Sequence, residues 1–141
     1  ERIWRNPTSG TIAAVERYVD DTFTQPTFVR CMDINTGYDI LNSEWYANGQ
    51  QSAEIHIEND LRHGLSRFWF ENGQICVNSN YNHGYLYGAY AQYLEDGTLM
   101  LQGSYCQGLG KIGEWYYYGD GYPYTCTYST CGGDPVCQNV N

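Results

Sequence analysis

Glycines at positions 49, 73, 97 and 121 stand 24 residues apart, and this spacing constrains the fold more than any other feature of the 141-residue chain. Self-similarity at a fixed period of this size marks a chain built from one supersecondary unit stacked repeatedly. A turn-forming partner precedes each glycine: Asn48-Gly49, Asn72-Gly73, Asp96-Gly97 and the Gly119-Asp120-Gly121 run. Asn-Gly and Asp-Gly between apolar runs favour type I′ turns, whose two central residues both need positive φ, so each pair is expected at a hairpin tip. Ahead of the glycines the same period aligns Tyr46, Phe70, Leu94 and Tyr118, and beside them Trp45, Trp69, Tyr93 and Tyr117. A second turn series, Asn59-Asp60, His83-Gly84 and Gln107-Gly108, falls between the first. The gaps leave strands of about 7 to 10 residues, the usual length for a strand. The expected fold is all-β: a single-layer antiparallel β-meander or solenoid of tandem β-hairpin repeats of period 24, with an N-terminal arm and a disulfide-rich C-terminal cap.

The repeat positions Tyr81-Asn82-His83-Gly84, Gly88, Tyr93 and Glu95-Asp96-Gly97 resemble the bacterial variant of the MORN repeat, and residues 59–73 and 107–121 follow the same pattern. The resemblance covers residues 43–122. It departs at Asp60, where the family prefers Gly, and at Ile112-Gly113, one residue out of step with Gly64 and Gly88, where a bulge is expected. It implies a scaffold or assembly surface built from hairpins and no enzymatic activity; some members of this family carry antitoxin-like names.

Four segments follow. Residues 1–25 form an N-terminal arm or short helix, 26–42 a degenerate leading hairpin, 43–122 the repeats, and 123–141 a Cys-rich cap. In the first segment Ile12, Val15 and Val19 recur at helical spacing behind Ser9 or Thr11. Pro7, Gly10 and the frequent β-branched residues argue instead for an extended arm, apolar at Ile3, Trp4 and Ile12. At the other end a terminal strand needs covering, because it offers unpaired backbone groups to any other chain.

Composition sets the partners and the compartment. Seven Lys+Arg against 16 Asp+Glu give a net charge of −9, which disfavours nucleic acid and anionic lipid as partners. No apolar stretch approaches the roughly 18 residues of a membrane span. Six cysteines, an even number, and a single lysine fit a secreted or cell-surface protein. Position 1 is Glu rather than Met, so removal of a leader is expected. The disulfide candidates are Cys31, Cys76, Cys106, Cys126, Cys131 and Cys137. Cys76 and Cys106, two strands apart, are too distant to pair. The tail is best matched with Cys106, and the remaining connectivity is open.

Chemistry is sparse. No G-x-S-x-G, H-E-x-x-H, Walker or dinucleotide motif occurs, so no catalytic residues and no cofactor are expected. His63 and His83 each precede a glycine, where a polar turn residue suffices. The Cys126, Cys131 and Cys137 spacings are wider than those of zinc knuckles, and Asp20-Asp21, Asp120 and Asp134 lack the regular spacing of a calcium loop, so no metal is expected either. The Trp45, Trp69, Tyr93, Tyr117 column reads first as the repeat's own core and second as a stacking platform for sugar rings. A single-layer sheet cannot bury both faces, so one is left for a partner. The expectation is a non-enzymatic secreted or surface protein that self-associates into oligomers or fibrils through terminal segments and sheet edges. The alternatives are an extracellular module recognising carbohydrate or protein on its Tyr/Trp face, and an intracellular antitoxin-like repeat protein.

Overall fold

The computed structural model describes residues 2–5, 12–18, 26–32, 39–108, 110–118 and 123–140. They form one antiparallel sheet whose spatial order is its sequence order: β1 (Arg2–Arg5), β2 (Ile12–Tyr18), β3 (Pro26–Met32), β4 (Asp39–Trp45), β5 (Gln51–Glu58), β6 (Leu61–Trp69), β7 (Ile75–Asn82), β8 (Tyr85–Tyr93), β9 (Leu99–Gln107), β10 (Gly110–Tyr117), β11 (Tyr124–Tyr128) and β12 (Val136–Asn139). Among the described residues there is no helix, and the sheet does not close; β1 and β12 are its two edges.

The N-terminal segment is extended, as one of its two expected forms has it, but it is paired within the sheet. Ile12–Tyr18 is a strand, not a helix, with Ala14 opposite Cys31 and Val15 opposite Arg30. Ile12 and Val15 favour the strand, and a segment with a ladder available on both sides has its backbone groups satisfied when extended. Nor is Arg2–Arg5 a free arm: Ile3 pairs with Val15, Trp4 with Ala14 and Arg5 with Ile12, so this segment is already the first strand of its own sheet.

The turns differ on the two rims. At the first rim the N–H groups of Tyr46, Phe70 and Leu94 donate to Gln50, Gln74 and Thr98 carbonyls, each at 2.8 Å, and those of Gly49, Gly73 and Gly97 return to the Tyr46, Phe70 and Leu94 carbonyls. Only the glycines there have positive φ, at 87°, 85° and 87°. These are three-residue loops ending in a left-handed glycine, rather than the type I′ turns expected from Asn-Gly and Asp-Gly. The reason is local. The Asn48, Asn72 and Asp96 side-chain oxygens accept the N–H two residues on, which holds these residues at negative φ. Type I′ geometry occurs on the opposite rim instead, at Asn59-Asp60 (φ 50° and 61°) and His83-Gly84 (46° and 88°). Gly121 lies outside the described residues.

Neighbouring turns touch. Asn48 and Asn72 Nδ2 donate to the carbonyls of Glu71 and Glu95 in the next turn, both at 2.7 Å. On the other rim Leu61 rests on Gly84 and Tyr85 on Gly108, at positions where a Cβ would lie 3.4 and 3.6 Å away.

Register slips between Ile55 and Ile57 and between Ser79 and Tyr81 are spanned by Gly64 and Gly88 at positive φ. The same device recurs at Gly113, between Ile112 and Tyr116, as the sequence shift there suggests. The preceding turn also opens late. Gln107 belongs to β9 and pairs with Gly110, so the turn begins at Gly108, one residue beyond the expected Gln107-Gly108 centre.

Burial comes from large side chains lying across small ones. Trp115 is fully buried, flat on Gly103, where an added Cβ would collide with the indole. Ala53, Cys126, Ser43, Ser66 and Ser79 complete the buried set among the described residues. Ser79 Oγ–H donates to the Ser66 carbonyl at 2.9 Å. The C-terminal end is closed by two disulfides, Cys106–Cys131 and Cys126–Cys137, the first joining the tail to Cys106 as expected.

Candidate functional site

Cross-strand pairing sorts the side chains into two faces. Ser43, Glu54, Arg67, Asn78, Ala91, Gln102 and Tyr116 are successive partners on one face. Ile55, Ser66, Ser79, Tyr90 and Gly103 are successive partners on the other, which also carries Trp115. Alternation along each strand places Trp45, Trp69 and Tyr93 on the first face. Tyr117 pairs with Leu101 and therefore faces the other way, with Trp115. The aromatic column thus has three members on one face, and Tyr118, stacked beside Tyr116, takes the place on that face where Tyr117 was expected. A one-residue offset in a strand exchanges its faces, and the late turn at Gly108 supplies it. The column residues are half-buried rather than core. Trp69 carries the Arg67 guanidinium 5.4 Å from its ring centre.

On this first face a groove of about 340 Å³ crosses β7 to β10. Ala89, Ala91 and Ser104 form a shallow floor, and Tyr93, Gln102, Glu114 and Tyr116 rise beside it. The Tyr116 hydroxyl donates to Glu114 at 2.6 Å, and that bond holds the phenol's pKa above its usual value. Asn78, also lining the groove, has a buried Oδ1 with no hydrogen-bond partner. The arrangement offers a carboxylate, two amides and two phenol rings to a polar ligand. Deeper along the same face, Glu54 accepts from Arg67 and bonds His56, each at 2.8 Å. Burial pushes the Glu54 pKa up, but these two partners outweigh it, and the net shift is downward.

The second face is aromatic. Tyr90, Tyr105 and Tyr117 surround Trp115, with ring centres 4.9 to 6.2 Å from it. Lys111 caps the cluster, its Nζ 4.4 Å from the Trp115 ring and 2.8 Å from the Tyr117 hydroxyl. Burial raises the pKa of Tyr90 and Tyr105 and of the Cys76 thiol on β7. Cys76 is outside both bridges, and Cys31 lies half-buried on β3. Sequence reasoning missed Trp115 because it falls outside the 24-residue register; Gly103, a glycine within a strand and away from every turn, was the available signal.

The edge at β12 has its own geometry. Cys126 and Cys137 face each other with Cα atoms 4.0 Å apart, the narrow, non-hydrogen-bonded kind of antiparallel pair. Alternation makes Gln138 bond inward, in agreement with the Val140 N–H donating to the Pro123 carbonyl at 2.9 Å. The N–H and C=O of Cys137 and Asn139 therefore point away from the sheet. Among the described residues no helix is long and apolar enough to cross a membrane. No protein-family model matches the chain, and no curated protein matches it.

Proposed function

We propose that this chain is a MORN-like, non-enzymatic scaffold, secreted or displayed at the cell surface, that self-associates edge to edge into oligomers or fibrils. The observation carrying this reading is the open sheet of the described residues, with an even number of strands. Because β1 and β12 run antiparallel to each other, a translated copy presents β1 to β12 and continues the alternation without a break. Contacts of this heterologous kind propagate instead of closing, and the outward groups of Cys137 and Asn139 are the template. Two further facts agree. The chain exposes 8724 Å², against about 7,400 Å² for a compact chain of its mass. Its two disulfides suit an oxidising compartment.

Analytical ultracentrifugation over a range of concentrations tests the edge. The full chain is expected to sediment faster as concentration rises. Asn139→Pro removes only an outward N–H, and the variant is expected to remain monomeric with an unchanged circular dichroism spectrum. A full chain that stays monomeric, or a variant that assembles equally well, overturns the reading.

The groove favours a second reading, an extracellular recognition module. Phenol rings beside a carboxylate and amides match the apolar faces and vicinal hydroxyls of a sugar. Loss of glycan retention by Tyr93→Ala, with stability unchanged, would distinguish it.

A further inference from the structure

We infer that Glu58, His63 and His83 form a three-ligand site for a divalent transition-metal ion, with Zn²⁺ as the fitting occupant. The three residues are separated in the chain, and only the fold unites them. Glu58 ends β5, His63 lies near the start of β6, and His83 sits in the β7–β8 turn. Their ligand atoms all fall within 4.8 Å of one another. His63 Nε2 is 3.3 Å from Glu58 Oε2, and the two imidazoles meet at 4.7 Å with their planes 68° apart. Zinc bonds of about 2.0 to 2.2 Å place tetrahedral ligands roughly 3.4 Å apart. Rotation of these exposed and half-exposed side chains covers the difference.

Proton positions support coordination. Asn82 Oδ1, which can only accept, lies 2.6 Å from His83 Nδ1, so that nitrogen carries the hydrogen and the neutral ring would offer Nε2 to a metal. An outer partner fixing the tautomer in this way is the usual companion of a metal-bound histidine. His63 Nδ1 accepts a long 3.3 Å bond from the His83 N–H. Metal at Nε2 moves the His63 proton to Nδ1 and gives up that weak contact. Backbone geometry points to the same place. Among the described residues the non-glycine positions at positive φ are Asn59, Asp60 and His83, all in the two type I′ turns that frame the cluster, so hairpin geometry itself fixes where the three ligands stand. Arg62, next to His63 in sequence, is directed elsewhere, its guanidinium 5.3 Å from the Tyr81 ring centre.

Two imidazoles and one carboxylate suit Zn²⁺ and its first-row neighbours, whereas Ca²⁺ and Mg²⁺ require oxygen donors throughout. Three protein ligands leave a fourth position for water or a donor from another molecule. The ion would join the tips of two consecutive hairpins, β5–β6 and β7–β8.

Calorimetric titration of the metal-free full chain with ZnCl₂ tests the site. One ion per chain is expected, with no heat from CaCl₂ or MgCl₂. Glu58→Gln, His63→Asn and His83→Gly are each expected to weaken binding beyond detection, and Asn82→Ala by about tenfold. His83→Gly eases the backbone at a positive-φ position, so its loss of binding does not come from misfolding. His56→Asn, which alters the histidine held by Glu54, is expected to bind as the unmodified chain does. Failure of the unmodified chain to bind Zn²⁺, binding that survives all three ligand substitutions, or a loss caused by His56→Asn would overturn the inference.

Discussion

Trp115 shows how one side chain stands in for a second layer. Its indole lies across Gly103, donates Nε1–H to the Ser104 carbonyl at 3.0 Å and is fully buried. Removing a buried tryptophan costs about 3 to 5 kcal/mol. Trp115→Ala is therefore expected to lower the urea midpoint well beyond Trp69→Ala, whose half-buried ring lies against Arg67; equal losses would refute this ranking. Glu54 makes a pH-dependent contribution of definite sign. Because its folded pKa lies below the ordinary value of 4.5, the stabilisation is complete above that value and disappears as pH falls through the folded pKa. The stability difference between the native chain and Glu54→Gln, followed by urea denaturation, should shrink on acidification below about 4.5; a constant difference would count against the ion-pair account. At this scale the sequence is readable where a residue acts alone, as Gly73 does at its turn. It is silent where residues meet across strands. His63 and His83 look like ordinary turn residues until the ladder brings Glu58 beside them.

Elements were largely legible, turn geometry only in part. Asn-Gly serves both a type I′ turn and a three-residue loop, and the choice depends on whether the asparagine side chain bonds its own backbone, which residue identity leaves open. The slip at Gly108 is similarly hidden: Gln107-Gly108 fits the series, yet the ladder continues through Gln107, and that single residue carries Tyr117 to the far face. The C-terminal hairpin is governed by its bridges. Cys106–Cys131 closes a sequence separation of 25, and in the chain-entropy account a loop of that size contributes about 3.5 kcal/mol. Replacing both cysteines by serine should lower the unfolding free energy by about that amount, measured by urea denaturation under non-reducing conditions. No change would mean that β11 and β12 are held by their ladders alone.

At the scale of the whole molecule, each strand of the described residues bonds only to its neighbours in sequence, so the sheet behaves as a chain of nearest-neighbour interfaces. The all-β meander was foreseeable because a period with two turn signals leaves room only for strands. The incorporation of Arg2–Arg5 and Ile12–Tyr18 was not, since their pairing depends on a β3 edge that local propensity does not reveal. The serial arrangement also has a mechanical consequence. Tension applied between the two ends of the polypeptide acts across the strands rather than along them, and so peels one hairpin at a time at low force instead of shearing many bonds together. Yielding would start at β1, the edge without a covalent tie, and run inward until it met Cys106. There the two bridges bar further extension, and the last part of the protein stays folded as an anchor while the remainder pays out and rewinds.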